Sequence, residues 1–143
     1  MKKRFVVLIA VLTVILSIII CECVILPWVN PLRRDDEQVR EYFLELVPIG
    51  TSMDTATEII EDNEKWKLFA TFHEFGYFVH LEKDWATVYD QNETDWEMVG
   101  VSCMEVFIGK YSGLFSTSVI ALLGFDEDGN LIDVAIKRYV DGL

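Results

Sequence analysis

The sequence predicts an α+β protein, with an N-terminal transmembrane helix followed by two short helices packed on an antiparallel sheet of three or more strands. Three observations lead there. Residues 5–21 carry no charge in a chain that is otherwise acidic. Two segments between positions 35 and 62 space their apolar residues at helical intervals. The last third alternates apolar and polar residues between turn-forming glycines. The 143 residues suit one domain with an appendage, and 12 basic against 24 acidic side chains give a net charge of −12.

The amino terminus is justified first. Lys2, Lys3 and Arg4 precede the apolar run. As one helix, residues 5–26 would span roughly 33 Å at ~1.5 Å per residue, enough for the hydrocarbon core of a bilayer. Pro27 would end that helix, Glu22 would sit near the far interface, and Trp28 would suit the aromatic belt. The run is longer than the ~7–15 apolar residues of a cleaved signal peptide. Cys21-Glu22-Cys23 supplies neither an Ala-x-Ala-like cut nor the small residue that precedes a lipidated cysteine. An uncleaved signal anchor is therefore expected over residues 1–29, with cleavage or lipidation as alternatives. A juxtamembrane linker follows over 30–37, then an extracytoplasmic acidic α+β domain over 38–143. Three cations before the run, against Arg33 and Arg34 after it, place the amino terminus in the cytoplasm of a single-pass protein of the cell membrane.

Asp35 or Asp36 can cap a first domain helix running to about Val47, with Val39, Tyr42, Phe43, Leu46 and Val47 on one stripe. Pro48-Ile49-Gly50 ends it. Ser52 then caps a second helix from Met53 to about Asp62, burying Met53, Ala56, Ile59 and Ile60, with Asn63 as the stop. Trp66, Leu68, Ala70 and Phe72 alternate as a strand, and so do Tyr77, Val79 and Leu81. Three longer strands are expected over 98–108, 115–125 and 131–140, with turns at 110–113 and 126–130. On the last strand Ile132, Val134, Ile136 and Val140 face one way, and Asp133, Lys137 and Tyr139 the other. That pattern predicts a sheet covered on a single face by helices.

The stretch 65–89 is rich in aromatic residues: Trp66, Phe69, Phe72, Phe75, Tyr77, Phe78, Trp85 and Tyr89. They read as core and strand faces, with an aromatic docking patch as the sharper alternative. The polar loop 90–95 contains Asn92-Glu93-Thr94, a glycosylation acceptor pattern that matters only in a eukaryotic secretory route.

Motifs for catalysis and metal binding each break at one position. His73-Glu74-Phe75-Gly76-Tyr77 starts as a zinc-protease helix would, but Tyr77 stands where the second imidazole is needed. His80 is the other histidine, and two histidines without a domain cysteine pair do not make a structural zinc site. Around Gly109-Lys110 a phosphate loop lacks its first glycine, at Met104, and its hydroxyl, at Tyr111. Gly109 and Gly113 have the spacing of a nucleophile elbow, again with Tyr111 at the nucleophile position. Asp126, Asp128 and Asn130 have the spacing of three calcium ligands, yet Leu131 replaces the glycine of the sharp turn. Cys103 is alone in the domain and has no basic neighbour, so it reads as a buried thiol on a strand. No catalytic, cofactor-binding or metal-binding residue is expected, nor any cofactor, and the chain reads as non-enzymatic.

From residue 33 onward 9 basic and 23 acidic residues give −14. Such a domain repels nucleic acid and anionic lipid and steers towards a protein partner with a basic surface, while the N-terminal helix would engage the membrane. The alternative is acidity that only maintains solubility, with no specific charge-driven partner.

Leu46-Val-Pro-Ile-Gly50-Thr-Ser-Met53-Asp-Thr-Ala-Thr-Glu-Ile-Ile60 resembles the helix-turn-helix opening of the SmpA/OmlA (BamE-like) envelope lipoproteins. There a Pro-x-Gly turn leads into the second of two helices packed on a three-stranded antiparallel sheet. Gly124-Phe-Asp-Glu-Asp-Gly-Asn-Leu131-Ile-Asp-Val134 resembles the last hairpin of that fold, where a Phe-Asp-x-x-Gly-x-Leu phrase recurs. The same layout occurs in the β-lactamase-inhibitor-protein fold. This chain has no lipobox and no Gly-x-Pro after the second helix, and its 66–96 segment is longer than the fold requires. The resemblance implies a non-catalytic binding role in the cell envelope, or an immunity or inhibitor protein that blocks a basic toxin or enzyme with an acidic face.

Overall fold

A computed structural model describes residues 2–21, 25–81, 86–88, 95–112 and 115–141. Glu22, Cys23, Trp85, Tyr89, Gly113, the 90–94 loop with its acceptor pattern and the side chain of Trp28 lie outside the described residues. The chain divides into two compact units, Met1–Arg34 and Asp35–Leu143.

The first unit corrects the transmembrane expectation. Among the described residues, no helix is long and apolar enough to cross a membrane. Helix α1 (Lys2–Ile20) has 19 residues, and its first three are cations. Its uncharged part is roughly 24 Å long at ~1.5 Å per residue, short of a hydrocarbon core of ~30 Å. Ile18, Ile19 and Ile20 end it, three successive β-branched side chains that lose χ1 freedom in a helix. Cys21 and Ile25 have π-type hydrogen bonding, and a separate four-residue helix α2 (Leu26–Val29) follows. Pro27 therefore sits in the first turn of α2 and does not terminate the preceding helix. Pro31–Arg33 form a 3-10 turn capped by the Asn30 side chain, which accepts from the Leu32 amide.

The second unit is α+β with antiparallel sheets. Helix α3 (Asp36–Leu46) starts where the Asp35 carboxylate accepts from the Gln38 amide at 2.8 Å, and it buries Val39 and Phe43. Helix α4 (Met53–Asp62) starts at Ser52, whose hydroxyl accepts from the Thr55 amide, and it buries Ala56 and Ile60. Of the expected α3 stripe, Val47 is buried but Leu46 is exposed. Strands β1 (Lys67–Phe72), β5 (Ser102–Ser112), β6 (Ser116–Phe125) and β7 (Leu131–Asp141) form one sheet in the order β1-β5-β6-β7. Strands β2 (Tyr77–His80), β3 (Ala86–Thr87) and β4 (Trp96–Val99) form a second, in the order β3-β2-β4.

The single-face expectation is thereby corrected. Helix α3 packs on β7 and α4 on β1, while the small sheet meets β6 and β7. Every residue of β6 from Val119 to Phe125 is buried, which a sheet with one wet face would not allow. Tyr77, Ala86 and Val88 form a core cluster with Cys103, Ile120 and Leu122. The surplus length of the 66–96 segment is this third layer.

Two glycines build it. Gly100, at φ +80°, turns the chain between the sheets, and the Val101 amide then donates to the Phe125 carbonyl at 2.9 Å. The single strand expected over 98–108 is thus split into β4 and β5. Gly76 lies so close to β4 that an added Cβ would fall 1.9 Å from the Val99 carbonyl oxygen. On β7 a register shift opposite Gly124 and Phe125 leaves Ile132 exposed, although alternation put it in the core. The α3–α4 connection is tied to the β6–β7 hairpin: the Gly50 amide donates to Leu131 O, Leu131 N to Thr51 O, and Met53 N to Gly129 O.

Gly76→Ala should destabilise the domain by at least about 2 kcal/mol, because backbone, not a flexible side chain, occupies the space. Urea denaturation of wild type and variant checks this; a midpoint within error of wild type would show that β2 and β4 can move apart.

Candidate interaction surface

The first titratable constellation is a clamp. Asp133 on β7 accepts from Arg40 of α3 at 2.6 Å and from the Tyr77 hydroxyl of β2 at 2.8 Å. Arg40 also donates through Nε to the Val134 carbonyl at 2.8 Å, and it pairs with Glu37 at 3.3 Å. A second pair crosses the same layers: Arg138 of β7 meets Asp36 of α3 at 2.5 Å and the Tyr111 hydroxyl at 3.0 Å.

These groups are held in unreactive forms. Burial, then the charge of Asp133 and its hydrogen bond, raise the pKa of the Tyr77 phenol, so it stays protonated. The hydrogen bond to Asp133 raises the pKa of Arg40 against the opposing effect of burial. Cys103 is buried on β5, and desolvation with a smaller contribution from Glu105 pushes its thiol up to about 12. The thiol is therefore held in its neutral form, which is not the nucleophilic one.

The motif residues separate in space or are consumed locally. His73 lies in an exposed bend after β1, so His73–Tyr77 is not a helix face. His80 is buried at the end of β2, its ring edge-on to Trp96 at 5.0 Å. Gly109 and Lys110 lie within β5. The Asp126 carboxylate accepts from the Asp128 and Asn130 amides and so closes the β6–β7 turn. Among the described residues, no three His, Cys, Asp or Glu side chains converge to hold a metal ion.

The described aromatic residues do not form one patch. Trp66 is buried and stacks on Phe43 at 4.8 Å, Tyr77 is in the clamp, and Phe72 packs against Phe75 at 5.0 Å. Of the described aromatic residues in the 65–89 stretch, Phe69 is the exposed one, stacked on Phe107 at 5.8 Å.

The helices carry what remains. Glu41 and Glu45 on α3 are four residues apart, as are Asp54, Glu58 and Asp62 along α4; Glu61 and Asp62 close that helix with no basic residue in its last turn. No ion pair among the described residues engages these six carboxylates or Glu64. Between the helices, Tyr42, Ile59, Asp62, Asn63, Glu64 and Lys65 line an open groove of about 540 Å³. Its end is fixed by Asn63, whose side chain accepts from the Lys65 amide at 3.1 Å and whose carbonyl accepts from the Trp66 amide at 3.0 Å.

Sequence reasoning did not find the clamp, whose members lie 56 and 93 positions apart. One signal was present: Asp133 interrupts an otherwise apolar Leu131–Ile136 stretch. No protein-family model matches the chain, and neither the curated proteins nor the solved structures yield a match.

Alkaline pH should destabilise the fold in two stages. The thiol of Cys103 rises from 9.0 to about 12, and the phenol of Tyr77 rises from 10.0. A folded pKa above the unfolded one contributes stability in full below the unfolded value and loses it as pH climbs towards the folded value. Unfolding free energy should fall by about 1.4 kcal/mol per pH unit above pH ~9, and roughly twice as steeply above pH ~10. Denaturant titrations across this range check the profile, and Tyr77→Phe should remove the second stage. An unchanged slope in that variant would contradict the assignment.

Proposed function

We propose that this chain is a non-catalytic protein-binding module of the cell envelope, whose acidic helical face captures a partner with a basic surface. The observation that carries the proposal is the placement of charge on α3 and α4. Like charges four residues apart each cost a helix about 0.2–0.5 kcal/mol. Acids in the last turn oppose the helix dipole. Glu41/Glu45, Asp54/Glu58 and Glu58/Asp62 incur the first cost, and Glu61 and Asp62 the second. Solubility alone needs neither arrangement, since the same charges spread over the surface would serve. A cationic partner offsets both.

The non-catalytic part is supported by the neutral, shielded states of Tyr77 and Cys103. The envelope is supported by the BamE-like resemblance of the 46–60 and 124–134 stretches and by α1. Ile9, Val11, Leu12 and Val14 point in different directions around that helix at ~100° per residue, and each is about half exposed. The Thr13 and Ser17 hydroxyls bond back to the Ile9 and Thr13 carbonyls, so no polar group there requires water. Such a surface tethers the chain to lipid beside its three leading cations, and association of this kind does not require the helix to cross the bilayer.

Replacing Glu61 and Asp62 by Lys should raise domain stability by roughly 0.3–1 kcal/mol while weakening capture of the partner from envelope extract. Thermal unfolding and a salt-graded pull-down with the full chain in nonionic detergent measure the two. A more stable variant that captures the same proteins as wild type would overturn the reading. The identity of the captured protein separates an envelope-complex subunit from an inhibitor of a toxin or enzyme.

A further inference from the structure

We infer that the groove between α3 and α4 is the docking site for a basic segment of that partner, with one apolar side chain over Tyr42 and Ile59 and flanking Lys or Arg residues on the rim. The inference rests on the protein-binding reading above and locates it.

Shape and charge both favour this occupant. The groove, at about 540 Å³, is in the size range of binding clefts but wide open, which suits a side chain presented by a larger partner. Its apolar surface is a tyrosine ring and an isoleucine, both half-buried, so it can take an aliphatic group but not a long hydrophobic helix. Asp62 and Glu64 stand on its rim, and Glu58 lies one helical turn before Asp62. None of the three has an ion-pair partner among the described residues. The rim is also preformed. Asn63 fixes the 63–65 turn through two hydrogen bonds, and the buried, stacked Phe43 and Trp66 are the chain neighbours of the lining residues Tyr42 and Lys65. Binding there orders little of this chain, so little affinity is lost to conformational entropy. Lys65 is the one cation lining the groove; it leaves room for a carboxylate on the partner at that end. Elsewhere, the Phe69–Phe107 pair has one exposed ring.

The probe is a labelled synthetic peptide, acetyl-Lys-Arg-Leu-Lys-Arg-amide, titrated at low salt into the full chain in nonionic detergent and followed by anisotropy. Replacing the peptide leucine by Gly should weaken binding at least threefold. Asp62→Lys with Glu64→Lys should weaken it at least tenfold. Glu127→Lys with Asp128→Lys makes the same charge change in the β6–β7 turn and should weaken it less than twofold. Equal losses in the two charge-reversed variants would overturn the groove and leave a diffuse acidic field, which the capture experiment can still support. Insensitivity to the leucine, or no binding at low salt, would also overturn the groove. Capture of the same proteins by the Glu61→Lys, Asp62→Lys variant as by wild type would instead sink the protein-binding reading.

Discussion

The Asp133 carboxylate joins all three layers of the domain. It stands on the outer strand of the four-stranded sheet, takes one hydrogen bond from α3 through Arg40, and takes another from the small sheet through Tyr77. Without it the Tyr77 phenol would lose its acceptor and Arg40 would keep only Glu37 and the Val134 carbonyl, and a buried donor left unpaired costs about 1–3 kcal/mol. The clamp also explains why α3 lies where it does. Arg40 is held to β7 by two bonds, one to a side chain and one to the Val134 backbone, so the helix cannot slide along the strand. Arg138 and Asp36 repeat the restraint further along β7.

This internal use of cations shapes the surface. Arg40 and Arg138 neutralise carboxylates that fasten the layers, and few basic residues remain to balance the outer faces of the helices. The helices consequently face solvent with repelling acids at helical spacing and at their carboxyl ends. Local stability and sequence disagree there, whereas capping at Asp35 and Ser52 and burial of Phe43 and Ile60 all agree with the fold. Local rules and the fold thus conflict on this surface and agree in the core.

Much of the domain was legible in the sequence because its signals are local. The Asp35 and Ser52 caps, the Asn63 stop and the Asp126–Asn130 turn each depend on residues within a few positions of one another. The rest depends on contacts across the chain. Gly100 sits inside an apolar run, and nothing nearby shows that its left-handed backbone sends the chain into another sheet. Ile132 keeps strict alternation in the sequence, yet a register shift moves it to solvent. The transmembrane helix expected over 5–26 failed for another reason: hydropathy reports how apolar a segment is, not where its α-helix ends, and α1 stops at Ile20. The acidity of the groove was visible as composition. Its position was not, because Tyr42 and Ile59 looked like members of two separate buried stripes.

Those two residues tie the scaffold to the surface. Tyr42 precedes Phe43, whose ring stacks on Trp66, and Ile59 precedes the buried Ile60. Each half-buried groove residue is thus the immediate neighbour of a core residue that fixes its backbone. A helix whose apolar stripe is slightly wider than its partner layer must leave its marginal residues partly wet. Here the margins of two such stripes adjoin in one groove, with the acids Asp62 and Glu64 beside them. The core that positions α3 and α4 therefore also sets the width of the groove, so packing changes at Phe43 or Trp66 will be felt in binding as well as in stability.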